Sequence, residues 1–468
     1  VGRYGYLNRM SNRLIVVSNR VPLDGPGSGG LVVALHEALL AEEEGVWVGS
    51  ADADGDPPST FEEHDDGSPY TKLTFGLTEE DQQNYYLGYA NSVLWPLCHR
   101  RSDLIAYESG FHEAYRRVNE RLATMLAEIV RPDDRLWIHD YHFFPLGCFL
   151  RDRGVTNRIG FFLHIPFPHP SELPALPDRD VFADWIAGYD LVGLQTERDV
   201  ATCLEMFRVE DAAELLSQGR VRHNGRTVTL KAFPIGIDVD VMRRAAEKPE
   251  APARLKLDPR ERLLIGVDRL DYSKGIVNRV EAFGAYLDAR GAKEPRATLL
   301  QIAPPTRENV QAYVEIRDQL EGLTGKINGR HSEIDWTPIR YIHRMIPREQ
   351  LAALFRRADA GLVTPLADGM NLVAKEYVAC QDPENPGVLI LSRFAGAAEQ
   401  LESALMVNPY DNDDMAQAID RALEMELWER KERYETMYRQ IETYDIEWWR
   451  TEFLAALGST AQSVPATA

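Results

Sequence analysis

Short apolar runs separated by amphipathic stretches organise most of this chain. In the first half the runs cover residues 14–18, 136–141, 159–166 and 189–196. In the second they cover 263–268, 297–303, 339–343, 360–365, 388–392 and 405–408. They are continuous rather than alternating and rich in β-formers, as strands buried on both faces of a parallel sheet require. Helical patterns at 108–129, 278–289 and 349–358 separate many of them. Such alternation predicts doubly wound α/β units. At 468 residues the chain exceeds what one core usually serves, so two units are expected. The boundary is placed between Phe233-Pro234-Ile235-Gly236 and Arg262, near the polar stretch at Lys248-Pro249-Glu250, which gives units over 1–240 and 241–446. The acidic segment 52–68 reads as a surface insertion or hairpin tip. Residues 459–468 are small and polar and are expected to fray, and residues 1–9 precede Met10 and are left out of the fold reading.

Composition narrows the function classes. No apolar run nears the ~18 residues of a membrane span, and the N-terminus lacks a charged segment leading into an apolar core and cleavage site. Four dispersed cysteines, Cys98, Cys148, Cys203 and Cys380, form no CxxC pair. That pattern argues against a zinc cluster or disulfide scaffold and fits a cytoplasmic protein. A net charge of −21, from 52 basic and 73 acidic residues, disfavours nucleic acid and anionic membrane as partners. If the substrates are phosphates, basic residues must gather locally against that field.

Several strand ends carry candidate chemistry. Leu14–Arg20 runs into the glycine-rich Gly25-Pro26-Gly27-Ser28-Gly29-Gly30 and then a helix. Alone, such a stretch is more often a flexible turn. Arg20 at the strand end favours a ligand role, because strand C-terminal ends face the crevice in open α/β sheets. Trp137-Ile138-His139-Asp140-Tyr141-His142 offers two histidines and an aspartate. Strand alternation sends His139 and Asp140 to opposite faces, so a single metal site is not expected, and Asp140 reads better as a partner for a sugar hydroxyl. The strand at 159–163 delivers His164-Ile165-Pro166-Phe167-Pro168 to the same edge, in a proline-stiffened loop.

In the second half, Asp268-Arg269-Leu270-Asp271-Tyr272-Ser273-Lys274-Gly275 follows a strand. Arg269 and Lys274 lie across a turn into a helix and can converge on one diphosphate, as a metal ion does elsewhere. A solvated basic turn is the bland alternative. The richest segment is Thr364-Pro365-Leu366-Ala367-Asp368-Gly369-Met370-Asn371-Leu372-Val373-Ala374-Lys375-Glu376. Here a strand ends, Asp368-Gly369 turns, and a helix begins near Asn371 with its first amides available to an anion. Glu376 further along can grip two ribose hydroxyls or can simply be an exposed residue paired with a lysine. Two DxD sequences, Asp52-Ala53-Asp54 and Asp238-Val239-Asp240, are what chance supplies in so acidic a chain, and neither is expected to hold a metal.

Taken in order, these motifs resemble the trehalose-6-phosphate synthase family from Leu14 to about Leu457. Further matching segments are Leu94-Trp95-Pro96, Arg158 to Pro168, Gln301-Ile302-Ala303-Pro304, Ser392-Arg393-Phe394-Ala395-Gly396 and Val407-Asn408-Pro409-Tyr410-Asp411. The resemblance implies a GT-B fold, with two Rossmann-like domains whose parallel sheets face an interdomain cleft. It also implies that a final segment, 447–468, packs its helix, around Trp448–Leu457, back on the first domain ahead of a frayed tail. The implied reaction moves glucose from UDP-glucose to glucose 6-phosphate with retention, without a cofactor, in a homo-oligomer (dimer or tetramer). Position by position, Arg269 and Lys274 would hold the donor diphosphate and Glu376 the ribose. His164 and Asp368 would contact the transferred glucose, with Gly369, Met370, Asn371 and Leu372 nearby. Gly29 and Gly30 would close over the donor from a mobile loop. Arg20, Tyr86, Trp95, Asp140 and Arg307 would form the acceptor site, the two arginines on its phosphate.

One departure stands out: the family often has a tryptophan after Trp47-Val48-Gly49, where this chain has Ser50. That bears on the acceptor side more than on the donor chemistry. No matched residue is an obvious carboxylate nucleophile for a double displacement. The family is thought instead to use front-face substitution, the leaving phosphate taking the acceptor proton. Two rivals remain at this point: another phosphorylated glucoside as product, such as glucosylglycerol phosphate, and a non-catalytic sugar-phosphate sensor. The sensor is disfavoured because Arg269, Lys274, Glu376 and Asp140 are all present.

Overall fold

The computed structural model describes residues 13–23, 30–42, 44–53, 55–248, 261–291, 295–307 and 310–460. They divide into two compact units, one of Val1–Phe233 with Arg450–Ala468 and one of Pro234–Trp449.

The first unit is built on the strands β1 (Leu14–Arg20), β2 (Gly45–Asp52), β3 (Glu62–His64), β4 (Thr71–Leu77), β5 (Arg135–His139), β6 (Arg158–Phe162), β7 (Leu191–Leu194), β8 (Ala213–Leu215), β9 (Arg220–His223) and β10 (Arg226–Ala232). Their spatial order is β3-β4-β2-β1-β5-β6-β7-β10-β9-β8. The pairs from β4 through β10 are parallel, and β3 and the β8–β9 hairpin pair antiparallel at the two edges. The four apolar runs of the first half became β1, β5, β6 and β7. The acidic segment leads from the end of β2 into β3, which pairs back on β4. Strands β2 and β4, like β8, β9 and β10, were not among the expected runs, although β2 is buried from Gly45 to Ser50.

In the second unit, β11 (Arg262–Val267), β12 (Ala297–Ile302), β13 (Ile339–Ile342), β14 (Ala360–Val363), β15 (Val388–Ser392) and β16 (Leu405–Val407) form a parallel sheet in the order β13-β12-β11-β14-β15-β16. Each expected run of the second half is one strand. Helices Phe111–Ile129, Ile276–Arg290 and Arg348–Arg357 occupy the patterned stretches. The molecule is thus α/β, with two parallel-dominated sheets, as expected. Among the described residues no helix is long and apolar enough to cross a membrane.

The last helix, Ile446–Ser459, ends in the first unit. There Phe453 stacks on Trp137 at 4.8 Å between ring centroids and meets Phe162 and Phe233 edge-on. Glycines in β6 and β7 make room for it: a Cβ on Gly160 would lie 2.9 Å from the Phe453 ring, and one on Gly193 2.7 Å. Phe453 is wholly buried. Phe453→Ala removes that ring from a bay of rigid strands and is expected to lower unfolding free energy by about 3–5 kcal/mol in denaturant titration. A loss below about 1 kcal/mol would mean that the sheet does not depend on the helix.

Candidate functional site

In the first unit, the parallel neighbours β1, β5 and β6 deliver Arg20, Asp140 and His164 to one edge of the sheet. Asp140 has φ +78°, a conformation that non-glycine residues adopt at a cost of about 1–3 kcal/mol and mostly at functional positions. Its amide donates to the Phe162 carbonyl at 2.8 Å, and its carboxylate accepts from the His164 amide at 3.3 Å. The chain therefore turns sharply past His139, which stays buried while Asp140 reaches solvent. The His139 Nδ1 and His164 Nε2 atoms lie 3.1 Å apart in stacked rings. Burial pushes His164 down to about 3, and burial together with His164 holds His139 well below the usual histidine range. Both rings are neutral at pH 7, so one nitrogen donates and the other accepts.

Beside this edge the Arg20 guanidinium sits 5.7 Å over the Tyr86 ring, which stacks on His142 at 5.9 Å. Tyr86 lies in a π-helical segment, Gln82–Leu94, and its carbonyl accepts from the Asn91 side chain, Nδ2, at 2.7 Å. π-Helical segments recur at functional sites. Trp95 follows directly and packs on Tyr141, the residue after Asp140, at 5.6 Å. Ser50 is buried, and its hydroxyl donates to the Asn19 carbonyl at 2.5 Å.

In the second unit, β11 and β14 are parallel neighbours, so Asp268–Lys274 and Thr364–Asn371 leave the sheet at one edge. Gly275 has φ +62°, and a Cβ there would lie 2.3 Å from the Thr364 carbonyl, so only glycine lets the two loops approach. The Lys274 ammonium donates to Asp368 at 2.5 Å, and Asn371 Nδ2 donates to the same carboxylate at 3.0 Å and, at 3.5 Å, to Asp268. The other Asp268 oxygen accepts from Arg279 at 2.7 Å. Burial raises Asp268, and the Arg279 and Lys274 cations oppose that rise. Asn371 takes φ +74° and launches the helix Leu372–Cys380. The carbonyls of Asp368 and Met370 accept from the Gly396 and Ala397 amides, which fixes the turn ahead of that helix start. Glu376 lies one turn on, its carboxyl raised by burial against the opposing charge of Arg348. Arg269 stands exposed just past β11.

The remaining sequence candidates are placed as follows. Gly30 is the first residue of the helix Gly30–Leu40 rather than part of a loop, because the helix begins at the last glycine of the run. Gly29 lies outside the described residues. Arg307, at φ +48°, donates to the Tyr313 hydroxyl at 2.5 Å and lies 3.6 Å from Asp271, its side chain only 7% exposed. Asp238 caps the helix Val239–Ala246, and Asp240 pairs with Arg243 at 2.8 Å. Asp52 accepts from Gln82, and Asp54 is outside the described residues. Among the described residues no group of three or more His, Cys, Asp or Glu side chains suits a metal ion.

Three supporting contacts escaped the sequence reading. His142 supports Tyr86 through a contact that no local pattern announces. Lys375 is wholly buried, and its ammonium donates to the Ile235 carbonyl at 2.6 Å, tying the helix Leu372–Cys380 to the start of the second unit. Arg279 is also wholly buried and spends its donors on Thr364, Gln301 and Asp268. A signal for Arg279 existed: it falls three residues after Ile276 and four before Phe283, on the apolar stripe of its helix.

Charged and glycine-bearing loops past the C-terminal ends of two parallel-dominated sheets are an arrangement that α/β glycosyltransferases share with other α/β enzymes. Residues 11–459 match the profile of glycosyltransferase family 20, and the chain belongs to that family. It is 44% identical over 452 residues to the trehalose-6-phosphate synthase of Klebsiella pneumoniae, covering 95% of each chain. A Burkholderia xenovorans α,α-trehalose-phosphate synthase (UDP-forming), solved in complex with glucose-6-phosphate, is 45% identical with a TM-score of 0.89, over 96% of this chain and 100% of that one. A solved E. coli chain bound with UDP-2-fluoro glucose is 43% identical with a TM-score of 0.92, over 97% and 100% of the two chains.

Lys375 supplies a pH test. Burial lowers its ammonium from 10.5 to about 7. Between those values the unfolded chain holds a proton that the folded chain has released, so stability rises as pH rises through that window and is flat below it. In thermal melts between about pH 7 and about pH 9, the stability of Lys375→Met relative to the native chain is expected to fall steadily as pH rises. A difference independent of pH would contradict the buried, unpaired-charge assignment.

Proposed function

We propose that the protein transfers glucose from UDP-glucose to glucose 6-phosphate, forming α,α-trehalose 6-phosphate and UDP with the donor's anomeric configuration retained. The observation that carries this reading is the Lys274–Asp368–Asn371 cluster at the start of the helix Leu372–Cys380. It sets a cation and a helix N-terminus at one sheet edge, the combination a nucleotide diphosphate needs. In this reading Arg269 and Lys274 take the diphosphate, Glu376 the ribose hydroxyls, and Asp368 and His164 the glucose. The amides from Gly369 to Leu372 and the glycines Gly29 and Gly30 are assigned to the donor as well. A neutral His164 suits this role, since it can hydrogen-bond a sugar hydroxyl without adding charge.

On the acceptor side the reading assigns Arg20 and Arg307 to the phosphate, and Tyr86, Trp95 and Asp140 to the sugar. The Arg20–Tyr86 stack supports the first of these, because it holds the guanidinium plane while leaving its edge donors for phosphate. As the glycosidic oxygen bond to UDP lengthens, the leaving phosphate accepts the proton of the acceptor hydroxyl. That hydroxyl attacks the anomeric carbon from the same face, and Arg269 and Lys274 neutralise the departing charge. A cytoplasmic homo-oligomer, dimer or tetramer, belongs to the same proposal.

Incubation with UDP-glucose and glucose 6-phosphate in excess chelator is the test. The expected outcome is stoichiometric UDP and an α,α-linked disaccharide phosphate by proton NMR, at undiminished rate. Inversion at the anomeric carbon, or activity restored only by magnesium or manganese, would contradict it.

A further inference from the structure

The exit of β1 is held through its backbone by buried side chains on neighbouring strands. The Trp47 indole donates to Ser18 Oγ at 2.8 Å, and the Ser18 hydroxyl donates to the Arg20 carbonyl at 2.8 Å. The Ser50 hydroxyl donates to the Asn19 carbonyl at 2.5 Å. The Lys72 ammonium, 1% exposed, donates to the Pro22 carbonyl at 2.5 Å and to Asp66 at 2.5 Å. Between them the Val21 amide crosses β2 so closely that a Cβ on Gly49 would lie 2.4 Å from its nitrogen. The Asn19 and Pro22 carbonyls are thus held by side chains from outside β1, the Arg20 carbonyl by Ser18 of the same strand, and Val21 is confined by its close approach to Gly49. The same β1–β2 register sets Arg20 directly opposite Ser50.

A buried lysine is a costly way to hold a loop unless the position of that loop matters, because its charge must be removed from water and then paired. Lys72 is paired: its hydrogen bond lowers Asp66 to about 2, so the ion pair persists across ordinary pH. No side chain in this set reaches out to a ligand. Ser18, Ser50 and Lys72 act on the main chain that carries Arg20, Trp47 acts on Ser18, and the Arg20 guanidinium lies over the Tyr86 face.

We propose that Ser50 and Lys72 are positioning residues for Arg20, and that by fixing the Asn19 and Pro22 carbonyls they set the preference for a phosphorylated over an unphosphorylated acceptor. This rests on the reading of Arg20 as a contact to the acceptor phosphate.

The test is steady-state kinetics of Ser50→Ala, Lys72→Met and Lys72→Arg, alone and combined with Arg20→Ala, with glucose 6-phosphate and with glucose. Ser50→Ala and Lys72→Met are each expected to raise KM for glucose 6-phosphate about 5–10-fold, as the loss of one hydrogen bond at a distance predicts. The kcat and the donor KM should hold, and Lys72→Arg, which can still donate to Pro22 and Asp66, should recover most of the loss. Activity on glucose should be unchanged. In the Arg20→Ala background neither substitution should add anything, because both act through that one side chain. If Arg20→Ala raises KM but Ser50→Ala and Lys72→Met do not, the inference fails alone. It also fails if both lose activity on glucose and glucose 6-phosphate by the same factor, which marks a general loss of structure. If Arg20→Ala itself leaves KM unchanged, the acceptor assignment falls and takes this inference with it. Should Lys72→Met fail to fold, Ser50→Ala, which removes a single oxygen, still decides the matter.

Discussion

A guanidinium sealed inside the second unit, Arg279, is the constraint on which the donor side depends. Its three donating nitrogens are satisfied by Thr364, Gln301 and Asp268, which come from three different loops or strands. Removing one partner of such a pair typically costs about 3–5 kcal/mol, because a buried charge is left unmatched. The pair also transmits order. Asp268 receives Arg279 on one oxygen and Asn371 on the other, Asn371 reaches Asp368, and Asp368 holds Lys274. Lys274, the cation assigned to the diphosphate, is thus placed by a relay that begins in the core. Groups aimed before the substrate arrives need no reorganisation as charge develops, which is where such sites gain most of their effect.

The first unit solves the same problem with backbone rather than with a charge relay. Asp140 is held at positive φ by a hydrogen bond from its amide to β6 and by the His164 amide on its carboxylate. Arg20 leaves a strand whose end is gripped by Ser18, Ser50 and Lys72. In both units the side chains proposed for the site are backed by buried polar groups, Arg279 in the second unit and Ser18, Ser50 and Lys72 in the first.

Much of the fold was legible because parallel strands buried on both faces leave unbroken apolar runs. Every run in the second half became a strand. Strands β2 and β4 were overlooked for opposite reasons. In β2, Gly49 and Ser50 end the apolar run early. In β4, Lys72 and the threonines suggest a solvated strand, although Lys72 is 1% exposed. The residues proposed for the site were picked out because they close a strand, as Arg20 does, or follow one within a few residues, as Asp140, His164, Arg269 and Asp368 do. What could not be read was pairing at a distance: Arg279 with Asp268, Lys375 with Ile235, His142 with Tyr86. Each is made by the fold, between residues whose separation in the chain carries no signal.

The claim that a core-anchored relay arms the donor site is tested most directly by UDP affinity in Asp268→Asn, measured by titration calorimetry. The substitution keeps the shape and a single acceptor for Arg279, so the folded chain can be checked by circular dichroism and then titrated. A weakening of about 10-fold or more is expected, since the relay to Asn371, Asp368 and Lys274 loses its anionic link. A folded Asp268→Asn protein that binds UDP as tightly as the native chain would show that Lys274 is aimed without the relay.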